Sequence, residues 1–87
     1  MKTIKDAADL CGMHEQSIRM YERRGLICPQ RSQGNIRLFS DDDIAHLRFI
    51  KRLVTDLGVN LAGVEVILHM REQLLQAQRE LEVLRQR

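Results

Sequence analysis

The sequence predicts a mainly α-helical fold, a winged helix-turn-helix with a small β-hairpin wing and a C-terminal coiled-coil helix for dimerisation. Three observations support it: two short helical segments separated by Gly12, a polar turn flanked by apolar residues after Pro29, and heptad-spaced apolar side chains near the end of the chain. With 87 residues the chain has room for one compact domain. We expect so small a core to gain further burial from a partner subunit.

The two N-terminal helices are bounded by capping signals. Thr3, followed three residues later by Asp6, matches a capping box that starts the first helix, and Gly12 ends it. The second helix begins near His14, which we interpret as a cap or a polar surface residue rather than a metal ligand, and ends at Gly25. Two short helices joined by a tight turn form a helix-turn-helix.

The segment after the second helix is typical of a β-hairpin. Pro29 interrupts any continuing helix, and Gly34-Asn35 is a turn signal. We predict strands at Leu26–Ile27 and Ile36–Phe39, on either side of this turn. The hairpin would form a wing beside the helix-turn-helix.

A third helix follows the wing. Ser40 is its predicted N-cap, and three aspartates in its first turn interact favourably with the positive end of the helix dipole. Gly58 ends this helix, and Asn60 is the predicted N-cap of the last one. The apolar stripe predicted for the third helix comprises Ile44, Leu47, Ile50, Val54 and Leu57.

The last helix carries apolar residues at alternating steps of three and four, which are the a and d positions of a coiled coil. We therefore divide the chain into a winged helix-turn-helix domain, residues 1–65, and a dimerisation helix, residues 66–87. A monomeric amphipathic helix packed back on the domain is the open alternative. The predicted dimerisation residues are Ile67, Met70, Leu74, Ala77, Leu81 and Leu84.

The residue types of catalytic and metal sites do not cluster along the sequence. The three histidines lie far apart, and none has a cysteine or carboxylate at metal-ligand spacing. No phosphate-binding glycine motif is present, and Cys11 and Cys28 fit reduced thiols. We expect no enzyme activity, no cofactor and no metal. The sequence shows neither a leader nor a long apolar run, which predicts a cytoplasmic protein without membrane contact.

Basic residues are concentrated in the middle third of the chain. Between Arg19 and Arg52, eight basic residues stand against four acidic ones, whereas from Glu65 onward the counts are four and four. A positive field focused on one module is typical of a DNA-facing surface. For any one of these residues, the alternative is an ordinary charged side chain that faces solvent and binds nothing. For Arg23 and Arg24, this alternative is that they form the solvent-exposed end of the second helix.

Double-stranded DNA is the partner that these residues fit. A recognition helix needs polar or basic side chains near its N-terminus to reach base edges, and further basic residues to hold phosphates. The candidates for base contacts are Gln16, Ser17 and Arg19. The candidates for backbone contacts are Arg23 on the second helix, Arg31 and Arg37 on the wing, and Arg48, Lys51 and Arg52 on the third helix.

The stretch from Ser17 to Ile27, followed by Pro29, Arg31 and the segment Gly34–Ser40, resembles the MerR family of bacterial transcription regulators. The resemblance covers the chain from residue 3 to about residue 69. It implies a homodimer with antiparallel C-terminal helices that binds an inverted-repeat operator in the nucleoid and affects RNA polymerase only indirectly.

Matched position by position, the resemblance implies that Arg19, Tyr21 and Arg37 contact DNA. For Tyr21, the alternative is a core ring with an incidentally exposed hydroxyl. Two positions depart from the family pattern: Met20 replaces the first tyrosine of a pair, and Phe39 replaces a tyrosine on the wing. We therefore expect only ring packing at Phe39.

Within that family, Gly12–His14 and Gly58–Val64 resemble the heat-shock repressor branch. This implies a short repressor of chaperone genes without an effector domain, with a DnaK-class chaperone as co-repressor. Two alternatives share the fold or part of its function. A chaperone-modulator protein would bind another protein and not DNA, and an excisionase-like architectural protein would bind DNA as a monomer.

Overall fold

The computed structural model describes residues 1–86, which form four α-helices, a π-helical turn and a two-stranded hairpin. In chain order these are α1 (Ile4–Cys11), α2 (Glu15–Arg23), β1 (Gln30–Arg31), β2 (Arg37–Leu38), α3 (Asp41–Lys51), the π turn (Arg52–Asp56) and α4 (Leu61–Arg85). The two strands pair antiparallel, with Arg31 opposite Arg37. The predicted fold class, a mainly helical winged helix-turn-helix with a long C-terminal helix, is confirmed. Arg87, the last residue of the predicted dimerisation helix, lies outside the described residues.

Three helices begin at the caps that the sequence predicted. The Thr3 hydroxyl accepts from the Asp6 N–H, and the Asp6 carboxylate accepts from the Thr3 N–H, both at 3.3 Å. Ser40 and Asp43 form the same reciprocal pair at 3.1 and 2.9 Å. Asn60 Oδ1 accepts the backbone N–H three residues later at 2.8 Å. These caps satisfy N–H groups that a helix leaves unpaired, and so fix where α1, α3 and α4 start.

The predicted strand at Leu26–Ile27 is wrong, because this segment completes the C-terminus of α2. Gly25 takes a left-handed conformation with φ 76°. The Leu26 N–H then donates to the Tyr21 carbonyl at 2.9 Å, and the Gly25 N–H to the Glu22 carbonyl, also at 2.9 Å. This is a Schellman motif, whose apolar residue after the glycine packs back on the helix. Strand pairing begins only after Pro29, at β1.

The turn of the wing is the one predicted. Asn35 has φ 62°, and its N–H donates to the Ser32 carbonyl at 2.9 Å. The base of the wing is tied to the start of the chain, since Lys2 and Phe39 exchange backbone hydrogen bonds of 2.9 and 2.7 Å. Phe39 is fully buried, which confirms that its ring is used for packing. The first residues of the chain therefore hold the base of the wing.

The apolar stripe of α3 continues into the π turn with a changed register. Ile44, Leu47 and Ile50 are buried as predicted, and Leu53 is buried as well. Leu57, predicted to continue the stripe, is instead 67% exposed. Its N–H donates to the carbonyl five residues back, at Arg52, so the last turn is wider than an α-helical turn. A stripe extrapolated at α-helical spacing therefore misses the end of this segment.

The core joins every helix to the wing. Its fully buried large side chains are Ile18 from α2, Phe39 from the end of the wing, Leu47 and Ile50 from α3, and Val64 from α4. Two polar contacts supplement this packing. His46 Nε2 donates to the Leu26 carbonyl at 2.8 Å, and the Arg71 guanidinium lies 4.4 Å from the centre of the Phe49 ring. The start of α4 is thus held against α3.

Most of α4 extends away from the domain. Ile67 is half-buried against the core, whereas every residue from 69 to 86 is exposed. In the single chain, therefore, the helix does not pack back on the domain along its length. None of the helices within residues 1–86 is long and apolar enough to cross a membrane.

Replacing Leu47 by alanine should lower the free energy of unfolding by about 2–5 kcal/mol, because it removes a fully buried side chain from a close-packed core. Leu57→Ala removes the same atoms from an exposed position and should change stability by less than about 0.5 kcal/mol. Urea unfolding at matched protein concentration measures both. Equal losses in the two variants would contradict the burial pattern.

Candidate nucleic-acid interface

Helix α2 has one apolar and one polar face. Ile18 and Tyr21, three residues apart, are buried, which fixes the inward side of the helix. The opposite side carries three of the predicted DNA-contacting residues, Gln16, Arg19 and Arg23, which are exposed or half-exposed. Ser17 is half-buried and lies at the edge of this face, on the side of Tyr21 four residues later. His14 precedes the helix without a side-chain capping bond. The structure therefore brings Gln16 and Arg19, but not Ser17, onto one accessible helix face.

Arg19 is available for a ligand at small cost. Its Nη2 lies 3.7 Å from Glu15 Oε1, one helical turn earlier, and both side chains are partly exposed, by 33% and 42%. Ion pairs of this kind stabilise a helix by only about 0.2–0.5 kcal/mol. The arginine can therefore exchange this carboxylate for a base edge or a phosphate.

Tyr21 has the geometry of the alternative considered for it, a core ring with an accessible hydroxyl. Its ring is 6% exposed and belongs to the core, and this burial raises the pKa of the Tyr21 hydroxyl above its usual range. Within residues 1–86, no buried side-chain oxygen lacks a hydrogen-bond partner, and the Tyr21 hydroxyl makes no such bond, so it reaches the solvent. Mutation of the ring would therefore affect folding first.

The wing is joined to α2 by Glu22. Arg37 Nε donates to Glu22 Oε1 at 2.8 Å, and Arg31 Nη2 donates to both carboxylate oxygens at 3.1 and 3.3 Å. The predicted wing cations are thus brought together on one carboxylate of α2. In the sequence, Glu22 stands out only as one of four acidic residues between Arg19 and Arg52. Its separation of 9 and 15 residues from the two arginines gives no periodic signal that could have identified the contact.

Arg48 and Lys51 belong to α3, and their side chains reach the C-terminal end of α1, beside the turn of the helix-turn-helix. Arg48 Nη2 donates to the Leu10 carbonyl at 3.2 Å, and Lys51 Nζ is so close to Gly12 that a Cβ there would lie 2.8 Å from it. Cations are favourable at a helix C-terminus, where carbonyl groups are left unpaired. Arg52 is exposed and makes no such contact within residues 1–86.

The Cys11 thiol lies beneath these two cations. Burial raises the pKa of Cys11, while the positive charges of Arg48 and Lys51 offset part of this rise. Its Sγ points at the Ile44 carbonyl, 3.8 Å away. Cys28 is exposed. Within residues 1–86, no group of three or more His, Cys, Asp or Glu side chains is placed to hold a metal ion.

Arg24, at the end of α2, pairs with Glu65 of α4 at 3.2 Å, with both side chains about half-exposed. This contact was not predicted, and it connects the recognition helix directly to the helix that would dimerise. The predicted dimerisation residues Met70, Leu74, Ala77, Leu81 and Leu84 are all exposed on α4, while Ile67 packs partly against the domain.

Arg48→Ala should lower the free energy of unfolding by about 0.5–1 kcal/mol, because it removes a hydrogen bond and a positive charge from the C-terminus of α1. The matched control is Arg52→Ala, which removes the same charge from an exposed side chain and should leave stability nearly unchanged. Thermal unfolding of both variants measures the difference, and equal effects would exclude the Leu10 contact as a stabilising one.

Residues 2–71 of the chain match the family model described as MerR HTH family regulatory protein. A Streptomyces coelicolor relative, named as the heat shock protein HspR, is 41% identical over 75 residues, which cover 86% of this chain and 50% of that protein. The HTH-type transcriptional regulator GlnR of Bacillus anthracis is 42% identical over 69 residues, covering 79% of this chain and 53% of GlnR. The chain thus spans about half the length of these relatives.

Two solved structures have the same fold. PbrR691 from Ralstonia metallidurans, a transcription regulator in complex with lead(II), superposes with a TM-score of 0.75 at 25% identity, over 98% of this chain and 78% of that one. HiNmlR, described as a MerR family regulator lacking the sensor domain and bound to promoter DNA, gives 0.71 at 22% identity, over 91% and 67%. With the family model covering most of its length, the chain belongs to the MerR family of helix-turn-helix regulatory proteins.

Proposed function

We propose that the chain is a sequence-specific DNA-binding transcriptional regulator that binds an inverted-repeat operator as a homodimer. The observation that carries this proposal is the accessible polar face of α2, with Gln16 exposed and Arg19 partly exposed on it, and the wing arginines held beside it by Glu22. A helix of this kind reads base edges in the major groove, and flanking arginines hold phosphates.

The homodimer is supported by the exposed apolar side of α4. Met70, Leu74, Leu81 and Leu84 are each about 60% exposed, and they recur at coiled-coil spacing. A second copy would cover these side chains, and a two-fold symmetric pair presents two recognition helices to two half-sites. We take the antiparallel direction of the paired helices from the family resemblance, since the spacing alone does not set it.

Repression of heat-shock genes is the regulatory role that we propose, on the 41% identity to HspR. A DnaK-class chaperone as co-repressor belongs to the same proposal, and RNA polymerase would be affected only through promoter DNA. The competing hypothesis, a chaperone-modulator that binds a protein and not DNA, requires no basic face. Here α2 and the wing carry four arginines: Arg23 and Arg31 are exposed, and Arg19 and Arg37 are partly exposed.

The test is a salt titration of binding to the duplex upstream of the chain's own gene, compared with a scrambled duplex of equal length. Sedimentation gives the stoichiometry. Tight, sequence-selective binding by a dimer, with affinity falling steeply as salt rises, supports the proposal. Weak binding that does not distinguish the duplexes refutes it and favours the protein-binding module, and selective binding by a monomer favours an architectural protein.

Arg19→Ala should reduce operator affinity by about 1–3 kcal/mol while binding to scrambled DNA changes much less, because a base contact and not a general charge is lost. Arg79→Ala is the control, since it removes the same charge from an exposed position of α4 on the side away from the heptad stripe. Fluorescence anisotropy with both duplexes measures the two effects. Unchanged operator affinity in Arg19→Ala would contradict the proposed docking of α2.

Leu74→Glu should weaken dimerisation by about a hundredfold or more, because it places two carboxylates in the apolar seam between the helices. Gln76→Glu adds the same charge two residues away, on the side of the helix that faces solvent in the dimer, and should leave the dimer intact. Sedimentation equilibrium of both variants gives the dissociation constants. If the two variants dimerise equally well, the stripe on α4 is not the seam.

A further inference from the structure

The carboxylate of Glu22 lies at the junction of the recognition helix and the wing. Three hydrogen bonds from two arginines reach its oxygens, at 2.8, 3.1 and 3.3 Å. The side chains are 20% exposed for Glu22, 25% for Arg37 and 38% for Arg31. Ion pairs that are partly shielded from water are screened less by salt than those at the open surface. The cluster keeps one net positive charge, so it still attracts an anion.

The two arginines are held in different ways. Arg31 uses Nη2 on Glu22 and Nη1 on the Asn35 carbonyl, 3.3 Å away, so both of its terminal nitrogens are engaged, one with α2 and one with the wing. Arg37 is held only through Nε. Within residues 1–86 its Nη1 and Nη2 make no hydrogen bond, and these two nitrogens can donate two parallel bonds to a phosphate.

The wing needs such an attachment to keep one position. Its strands are two residues each, and an isolated hairpin of that size is marginally stable in water. The backbone bonds between Lys2 and Phe39 fix its base. Nearer the tip, the bonds from Arg31 and Arg37 to Glu22 connect it to α2.

We propose that Glu22 is a positioning residue for DNA binding, which fixes the distance between the recognition helix and the wing and directs the free end of Arg37 towards a phosphate. This inference rests on the proposed function, since it specifies how the same surface is assembled. A negative charge so near the duplex repels phosphates, so simple electrostatics predicts that its removal strengthens binding to any DNA. A positioning role predicts a loss confined to the specific site.

Glu22→Gln separates these expectations. The DNA is a duplex that the full-length wild-type protein recovers from a random-sequence pool, compared with a scrambled duplex. The ratio of the two affinities should fall by about tenfold, the size of one lost charge-assisted hydrogen bond, while scrambled DNA binds as well as before or more tightly. Glu72→Gln, the matched control, removes an equal charge from an exposed position of α4 away from the heptad stripe, and should leave the ratio unchanged. An unchanged ratio in Glu22→Gln overturns the proposal.

A double-mutant cycle tests whether Glu22 acts through Arg37. Arg37→Ala should weaken operator binding and lower the slope of log affinity against log salt by about one phosphate contact. In the Glu22→Gln background the same substitution should have a several-fold smaller effect, because the arginine is no longer held in place. Fully additive effects would exclude the coupling.

A measurement without DNA separates this proposal from the proposed function. If the wild type recovers no preferred sequence, the proposed function fails, but the attachment of the wing can still be tested by NMR. The Arg37 Nε–H and the Asn35 amide should exchange slowly with solvent in the wild type, and faster in Glu22→Gln, while amides of the α3 core stay protected. Rapid exchange of both groups in the wild type would overturn the attachment itself.

Discussion

The burial of Phe39 is the constraint on which the arrangement of the domain depends. Its ring is fully enclosed, and its backbone pairs with Lys2 at the start of the chain. It follows β2 directly and precedes Ser40, the cap of α3. One residue therefore fixes the base of the wing, the origin of α1 and the start of α3. Phe39 is also the largest of the fully buried side chains, so the position of the wing depends on its packing.

The sequence predicted the local features whose causes are local. The capping box at Thr3 and the N-cap at Ser40 are recognisable because the capping partners lie within one helical turn, and the turn at Asn35 because few residues accept its backbone conformation. The strand proposed at Leu26–Ile27 failed because an apolar pair after a glycine fits a helix C-cap as well as a strand. The contacts of Glu22 could not be predicted, because the two arginines lie 9 and 15 residues further along the chain, beyond an irregular loop, and no regular spacing relates them to Glu22.

The count of basic residues overstates the charge free to meet DNA. Arg24 pairs with Glu65, Arg31 with Glu22 and the wing backbone, and Arg48 with the end of α1. These cations also hold secondary structure elements together, so DNA could use them only by weakening internal contacts or sharing donors. The salt dependence of binding should therefore reflect fewer phosphates per chain than eight basic residues suggest.

In the proposed dimer, the contacts between α2 and α4 would link dimerisation to DNA recognition. The pair between Arg24 and Glu65 joins the end of the recognition helix to α4, while the stacking of Arg71 on Phe49 fixes the same stretch of α4 against α3. In the proposed dimer, the two copies of α4 set the separation of the two domains, and these contacts transmit that separation to the recognition helices. Glu22 then relates each wing to its own helix. The paired α4 helices would thus set the spacing between the two half-sites, and Glu22 would set the contacts within one half-site. Substitutions on α4 should therefore alter the preferred half-site spacing, whereas substitutions at Glu22 should alter the preference within a half-site.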